Sequence, residues 1–432
     1  MIKLAVVADD LTGANDTAVQ FAKIGMKAFV LLDRTKPMPP DTDVVVVNTD
    51  SRGVSAAEAR NQVWTACEWL RQWHVQTVIK KVDSTLRGNL GAEIEEAFRQ
   101  LGCEAAIIVP AFPRTGRITA GGYHLLRQQP VSESEVARDP KTPVMESRLA
   151  AVIQSQTTLQ VAHVELAAVM QGQAAVAAAI EQCLRRNEQL ITFDATTESH
   201  LAIIAQAAAG TGRRVLWVGS AGLAEVLPAA LEWPGAGNVS DGPAAAAPVL
   251  VIAGSMSGIT ARQLAYLASD RDVRVVKVDA AAALRSKEQT LQECCRQAAE
   301  GLTGGYDVVL EIADRSPQAV AAAVAAGAEL GITADHVSDA IASLLSDMAV
   351  ALMAYRPGAL VLTGGDTAVA VCQALEASGI CIANEVAPGV PWGYLAGGQH
   401  DGLPVVTKAG AFGEDDVFVK ALAILKIKEN RI

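Results

Sequence analysis

No block of lysines and arginines in this chain is long enough to track a phosphate backbone or a lipid surface, and the formal charge of −11 runs the other way. That pattern excludes nucleic acid and anionic membranes as partners and leaves an acidic enzyme as the expectation. The seven cysteines are an odd number with neither a CxxC pair nor Cys/His ligand spacing, so neither a disulfide framework nor a zinc site is expected. No basic leader precedes the apolar run IKLAVVA, and no apolar stretch reads as long enough to cross a bilayer. A cytoplasmic location is expected. Two nucleotide signatures are missing too. GSMSG (254–258) lacks the Gly-Lys-Ser/Thr ending of a Walker loop, and DDLTG stands where a dinucleotide-binding first strand would carry GxGxxG, which demotes a nicotinamide dehydrogenase.

What the chain does have is alternation. Short β-branched runs at 4–8, 28–32, 44–48, 77–82 and 106–109 are separated by helical patterns at 15–24, 56–73 and 92–101. Periodicity breaks at WPGAGNVSDGPAAAAP (233–248) and resumes with strands at 249–253, 273–278, 308–312 and 360–362 and helices at 291–301, 319–328 and 335–355. With 432 residues, half of them apolar, the chain can bury two cores. The expected fold is therefore α/β in two domains, residues 1–235 and 248–432, joined by a linker at 236–247. Each domain carries a mostly parallel sheet flanked by helices, and the active site is expected in the interdomain cleft.

Loops at strand ends hold the chemistry. AVVADDLTGANDTA sets Asp9 and Asp10 at the mouth of the first strand, with Asn15 or Asp16 as a helix cap. Either carboxylate can accept hydroxyl hydrogen bonds or take a proton, and either can simply cap a turn. VNTDSRG (47–53) and IKKVDSTLRGN (79–89) gather Arg52, Lys80, Lys81 and Arg87 into a local positive pocket that suits a hydroxylated carboxylate. Arg52 reads as a carboxylate fork, and Lys81, Asp83 and Ser84 read as hydroxyl contacts. Alternation along the strand would also let one of the two lysines point to solvent, and Arg87 would pair with a surface acid. PAFPRTGRITAGG (110–122) reads as a long loop that covers substrate or merely connects, and ARDPKTPV (137–144) as a stiffened turn around Lys141. His124 touches substrate or is a satisfied surface histidine.

In the second half, LVLTGGDTA puts Gly364, Gly365, Asp366 and Thr367 between a strand and a helix, the order a phosphate-binding helix N-terminus needs. Asp366 either caps that helix or shares a Mg²⁺ ion with ATP oxygens. Ser255 in AGSMS and Lys408 and Gly410 in KAGAFG are weaker nucleotide contacts. Trp392 either flanks an adenine or packs in a rigid turn.

Taken together, VADDLTGANDTA, KKVDSTLRGN, DPKTP, AGSMS, LTGGDTA, EVAPGVPWG and LPVVTKAGAFG resemble the four-carbon acid sugar kinase family, in order and over nearly the whole chain. The resemblance implies an N-terminal sugar-acid-binding domain and a C-terminal nucleotide-binding domain that close over both ligands, with ATP and Mg²⁺ as cofactors. It implies phosphorylation at O4 of an acid such as D-threonate, with D-erythronate or 3-oxo-tetronate as alternatives. A nucleotide-gated sugar-acid sensor without turnover is the alternative of another class. Carried over by position, substrate contacts fall on Asp9, Arg52, Lys81, Val82, Asp83 and Ser84. ATP contacts fall on Ser255, Gly364, Gly365, Asp366, Thr367 and Gly410. Asp9 and Asp366 are the catalytic candidates, with Asp366 also the metal ligand. Partners are expected to be a small sugar acid only, and the oligomeric state is left open, a homodimer included.

Overall fold

Valine-rich runs with no polar face form strands buried on both sides, and the amphipathic stretches between them supply crossovers. In a computed structural model of the protein, described for residues 2–139, 141–233, 247–410 and 412–426, this produces two compact units. One is Met1–Val30 with Pro40–Asn238, and the other is Leu31–Pro39 with Val239–Ile432. The linker expected at 236–247 lies, except for Ala247, outside the described residues.

Strands of the first unit are β1 (Leu4–Ala8), β2 (Ala28–Leu31), β3 (Val44–Asn48), β4 (Thr77–Lys81) and β5 (Ala105–Val109). They are followed by β6 (Arg117–Ala120), β7 (Tyr123–Leu126), β8 (Gln129–Pro130), β9 (Val161–Val164), β10 (Leu190–Phe193) and β11 (Val215–Gly219). The main order is β2-β3-β1-β4-β11-β5-β10-β9. Parallel registers pair Ala8 with Asn48, Ala8 with Lys81, and Gly219 with Lys81. Strands β3 and β4 therefore end level beside β1, with β11 level beside β4, and Asp9, Thr49 and Val82 leave the sheet along one edge. In an open α/β sheet that carboxyl edge is where ligands bind. Strands β6, β7 and β8 form a separate antiparallel sheet, so residues 110–122 are not one open loop.

The second unit has β12 (Val249–Ala253), β13 (Val273–Val278), β14 (Asp307–Ile312), β15 (Ala359–Thr363), β16 (Gly379–Ala387), β17 (Val390–Ala396) and β18 (Pro404–Lys408). They run in the order β13-β14-β12-β15-β18-β17-β16. The first five are parallel and level, with Ala253 beside both Glu311 and Thr363, and Thr363 beside Lys408. Beyond β18 the sheet turns antiparallel through β17 and β16. Trp392 on β17 is only 2% exposed within this unit's core, against Val406, Phe418 and Leu422, and its ring meets Tyr394 edge-on at 5.7 Å. That packing overturns the adenine-flanking alternative for Trp392, and of the rigid-turn alternative it keeps the packing but not the turn, since the residue lies within β17.

The helices correct two further expectations. The first begins at Leu11, not Asn15, because Asp10 caps it by accepting a hydrogen bond from the backbone N–H of Gly13. The stretch Val337–Tyr355 does reach membrane length by composition, with half of its apolar window buried in the protein, as core helices of that length also are.

Candidate active site

The edge formed by β1, β3 and β4 gathers an ion-pair network. Arg52 donates from Nε to Asp9 Oδ2 at 2.7 Å, and from its two terminal nitrogens to Asp10 Oδ2 at 2.6 Å and Oδ1 at 2.7 Å. Its guanidinium also lies 3.8 Å from Asp83. The fork expected to grip a ligand carboxylate faces Asp10 in this structure. Burial alone would disfavour the Arg52 charge, but Asp10, Asp9 and Asp83 outweigh it and hold the proton more tightly than usual.

Asp9 is buried as well. Burial works to raise its pKa, and Arg52, Lys81 and Lys80 together overcome that and keep the carboxyl below the usual range. One oxygen, Oδ1, is buried with no hydrogen-bond partner. An ionised oxygen kept dry and unsatisfied is costly, and is expected where a reacting hydrogen will sit.

Neither neighbouring lysine points to solvent, against the alternative drawn from strand alternation. Lys80 is fully buried, 2.8 Å from Glu93, and donates to the carbonyls of Val7 at 3.2 Å and Lys81 at 2.8 Å. It serves the core, since breaking such a pair leaves one buried charge uncompensated. Lys81 emerges on the opposite face, donates to the Val82 carbonyl at 2.8 Å, and lies against Gly13, where a Cβ would come within 2.5 Å of its ammonium. Gly13 leaves room for that ammonium and, at 2.6 Å from the same Cβ position, for Asp10 Oδ1.

Asp83 accepts from Arg87 Nε at 2.9 Å and from Thr85, and Arg87 continues to Asp139 at 3.1 Å. Burial would raise the Asp83 pKa, yet Arg87 and Arg52 hold it well below the usual range. Arg87 is therefore a strut between the 83–89 loop and the DPKTP turn, where Asp139 also accepts from the N–H groups of Lys141 and Thr142. Pro140 of that motif is outside the described residues. Beside Arg52 a cleft of ≈ 360 Å³ is lined in part by Gly53, Asn89, Lys141, Glu146 and Gln156.

His124 is not a surface histidine. It is fully buried on β7, with Nε2 2.9 Å from the Ser84 carbonyl and Nδ1 2.9 Å from Thr119 Oγ1. Burial pushes its pKa down to about 4, so the ring is neutral and pins the small sheet to the 81–84 stretch.

The second unit builds its loop cluster from backbone. Both Gly254 and Ser255 donate their N–H to the Thr363 carbonyl, at 3.1 and 3.2 Å, and Gly364 donates to the Lys408 carbonyl at 3.0 Å. A Cβ on Gly254 would fall 2.0 Å from Thr367 Oγ1, and one on Gly410 would fall 2.4 Å from Ser255 Oγ. Gly364 has φ +104°, a conformation L side chains rarely adopt, and it caps the helix Gly365–Ala374 without a side-chain bond. The cap residue itself thus covers none of the orphan N–H groups of that helix start with a side chain, as an anion site needs. Asp366 lies in the first turn and is exposed, with neither a hydrogen bond nor an ion pair recorded for its carboxylate among the described residues. The alternative of Asp366 as cap is overturned, because Gly364 holds that place.

Thr367 is buried against Gly254. Lys408 is buried too, donating to the carbonyls of Ala409 at 2.8 Å and Gly410 at 3.2 Å, and burial lowers its pKa to about 8. Arg315 went unnoticed in the sequence: its Nε donates to the Ser255 carbonyl at 3.0 Å and a terminal nitrogen reaches Glu311 at 3.2 Å. The signal that could have found it is a cation three residues past the end of a buried strand, in EIADRSP.

A family model described as a sugar-binding N-terminal domain matches residues 4–227, and one described as a nucleotide-binding C-terminal domain matches residues 250–418. A D-threonate kinase of Salmonella typhimurium LT2 is 37% identical over 98% of this chain and 98% of its own. A D-erythronate kinase of Heliobacterium modesticaldum is 33% identical, over 96% and 95% respectively, and a 3-oxo-tetronate kinase of Pseudomonas fluorescens is 31% identical, over 98% and 97%. A solved Salmonella typhimurium LT2 structure superposes with a TM-score of 0.81 at 27% identity, over 98% of this chain and 99% of that one.

Proposed function

The chain belongs to the four-carbon acid sugar kinase family, and from that membership we propose that it transfers the γ-phosphoryl group of ATP to O4 of D-threonate. It is a phosphotransferase acting on an alcohol group of a four-carbon sugar acid. D-threonate is preferred because the relative named for it is 37% identical, against 33% for the erythronate and 31% for the oxo-tetronate kinase. The compartment is the cytoplasm, which supplies ATP and keeps thiols reduced.

The observation that carries the mechanism is the unpartnered, buried Oδ1 of Asp9 beside Arg52 and Lys81. In this reading Asp9 orients the O4 hydroxyl and accepts its proton as the oxygen attacks the γ-phosphorus. General-base assistance of this kind contributes about 10²–10⁴-fold. Lys81, Val82, Asp83 and Ser84 present an ammonium, a backbone carbonyl, a carboxylate and a hydroxyl to the other oxygens of the acid. The triphosphate is received by Ser255, by Gly364, Gly365 and Thr367 at the helix start, and by Gly410, where glycine lets phosphate approach the backbone.

The donor set at the helix start fits Mg²⁺. No group of three or more His, Cys, Asp or Glu exists among the described residues, and Asp366 is an uncommitted carboxylate. Mg²⁺ commonly takes one or two carboxylates together with phosphate oxygens and water. Bound there, the ion would neutralise charge building on the β- and γ-phosphates.

An ADP-release assay with Mg·ATP against D- and L-threonate, D- and L-erythronate and the 3-oxo-tetronates, with a no-acceptor control, tests this. Turnover selective for D-threonate is expected. Selectivity for D-erythronate would move the substrate but keep the reaction. No acid-dependent ADP above the control would overturn the kinase reading in favour of a sensor.

A further inference from the structure

The paired state of Arg52 leaves a question of charge. A sugar acid carries a carboxylate, and all three Arg52 nitrogens face Asp9 or Asp10. Lys80 is committed to Glu93, and Arg87 to Asp83 and Asp139. Among the described residues at this edge, Lys81, Arg117 and Arg127 have no recorded ion pair; Lys81 is given to the other oxygens of the acid above and Arg127 is exposed, which leaves Arg117. Arg117, at the start of β6, has no salt bridge recorded among the described residues. It spends one terminal nitrogen on the Thr115 carbonyl at 2.7 Å, and its Nε is buried with no partner.

Its place follows from the hydrogen bonds of the small sheet. Thr119, two residues on and so on the same strand face, bonds His124, which in turn bonds the Ser84 carbonyl. Arg117 is thus carried on an element pinned to the stretch that reads the acceptor, and its charge is felt by Asp83. Burial holds its pKa below the usual arginine value, with Arg127 adding repulsion and Asp83, Glu135 and Asp16 only partly compensating. A half-buried guanidinium without an acid is an unfavourable arrangement unless an anion completes it.

We propose that Arg117 is a further receptor for the carboxylate of the sugar acid, beyond the Asp9–Arg52 edge. The inference rests on the kinase reading above. Arg117 binds as a planar fork, for which an ammonium is a poor substitute.

The test is steady-state kinetics of the full-length protein with both substrates varied. For Arg117→Gln, the KM for the acid should rise about 30- to 100-fold, in line with loss of a charge-assisted bidentate contact. The KM for ATP should stay within about twofold, and the melting temperature should hold. Arg117→Lys should fall between, at roughly tenfold. Arg114→Gln, which removes an exposed cation of the same stretch that pairs with Glu225, should change the acid KM by less than about threefold.

An unchanged acid KM in Arg117→Gln, or both KM values rising together with a drop in melting temperature, overturns the assignment. Should Arg117→Gln fail to fold, Arg117→Lys decides alone, and parental kinetics in that variant reject the fork. If the parent protein itself shows no acid-dependent turnover, it is the kinase reading that has failed. Parental turnover with an insensitive Arg117 sinks only this inference.

Discussion

The two units build their level sheet edges, each proposed above to hold a small anion, from opposite materials. In the first, side-chain charges do the work: Asp9, Asp10, Asp83 and Asp139 interleave with Arg52, Lys81 and Arg87 in a network that is largely self-neutralising before any ligand arrives. In the second, the work is done by missing side chains: Gly254 fits under Thr367, Gly410 against Ser255, and Gly364 turns where a Cβ would be strained. A charge network reads hydroxyls and carboxylates individually, as a stereospecific acceptor requires. A glycine-lined backbone presents N–H dipoles that suit phosphate, whatever is attached to it.

If that contrast is right, the largest effect belongs to a charge change. Asp9→Asn should lower kcat by about 10³-fold while leaving the KM for ATP nearly unchanged. Full turnover in this variant would remove Asp9 as the base. Next comes a shape change in the other unit. Gly254→Ala forces a methyl into the Thr367 hydroxyl and should cost roughly 1–3 kcal/mol of stability, as overpacking does, and raise the KM for ATP. The double variant Gly254→Ala/Thr367→Ala should recover much of the stability lost, by chemical denaturation, and failure to recover it would show that the contact is not the cause.

A smaller effect is expected where a glycine serves a charge. Gly13→Ala crowds both the Lys81 ammonium and Asp10 Oδ1, the oxygen that caps the helix and pairs with Arg52. A small loss of stability, below that of Gly254→Ala, should therefore accompany a fall of about tenfold in kcat/KM for the acid. An equal loss in stability would make Gly13 a packing residue like Gly254. Smallest is a pH effect. The folded pKa of His124, about 4, lies below its ordinary 6.5, so the unfolded chain binds the proton first as pH falls. Its contribution to stability is full above pH 6.5 and is lost progressively toward pH 4, by about 1 kcal/mol between pH 6.5 and 5.5. Denaturation midpoints of the parent and His124→Gln should therefore converge as pH falls through that window, and parallel curves would remove His124 from the account.

Much of this was legible in the sequence because strands buried on both faces announce themselves as β-branched runs, and the loops after them must lie at the carboxyl edge. Asp9, Lys81 and Gly364 were found in that way. Partner choice was not legible. Nothing in the spacing of Asp10 and Arg52, 42 residues apart, reveals a bidentate pair, because it depends on the register that sets Ala8 beside Asn48. The same holds for His124, whose burial follows from an antiparallel sheet hidden in a Gly- and Pro-rich stretch that reads as loop. Trp392 misled for a related reason: GVPWG looks like a turn, yet the tryptophan sits mid-strand in an antiparallel hairpin that a parallel expectation overlooks. Arg315 shows that a cation three residues past a strand end is easy to pass over when no glycine marks it.

The adjacent lysines of β4 carry a consequence for how the chain finds its fold. Because side chains alternate, a slip of one residue along β1 or β11 would send the core ammonium toward Gly13 and drive the other toward Glu93. The two ends are chemically alike, so hydrophobicity alone distinguishes the frames poorly, and the deep carboxylate of Glu93 becomes a frame marker. It rewards the one alignment in which Val7, Lys80 and Lys81 supply donors and acceptors that match, and the catalytic edge is correctly assembled only when that alignment has been chosen.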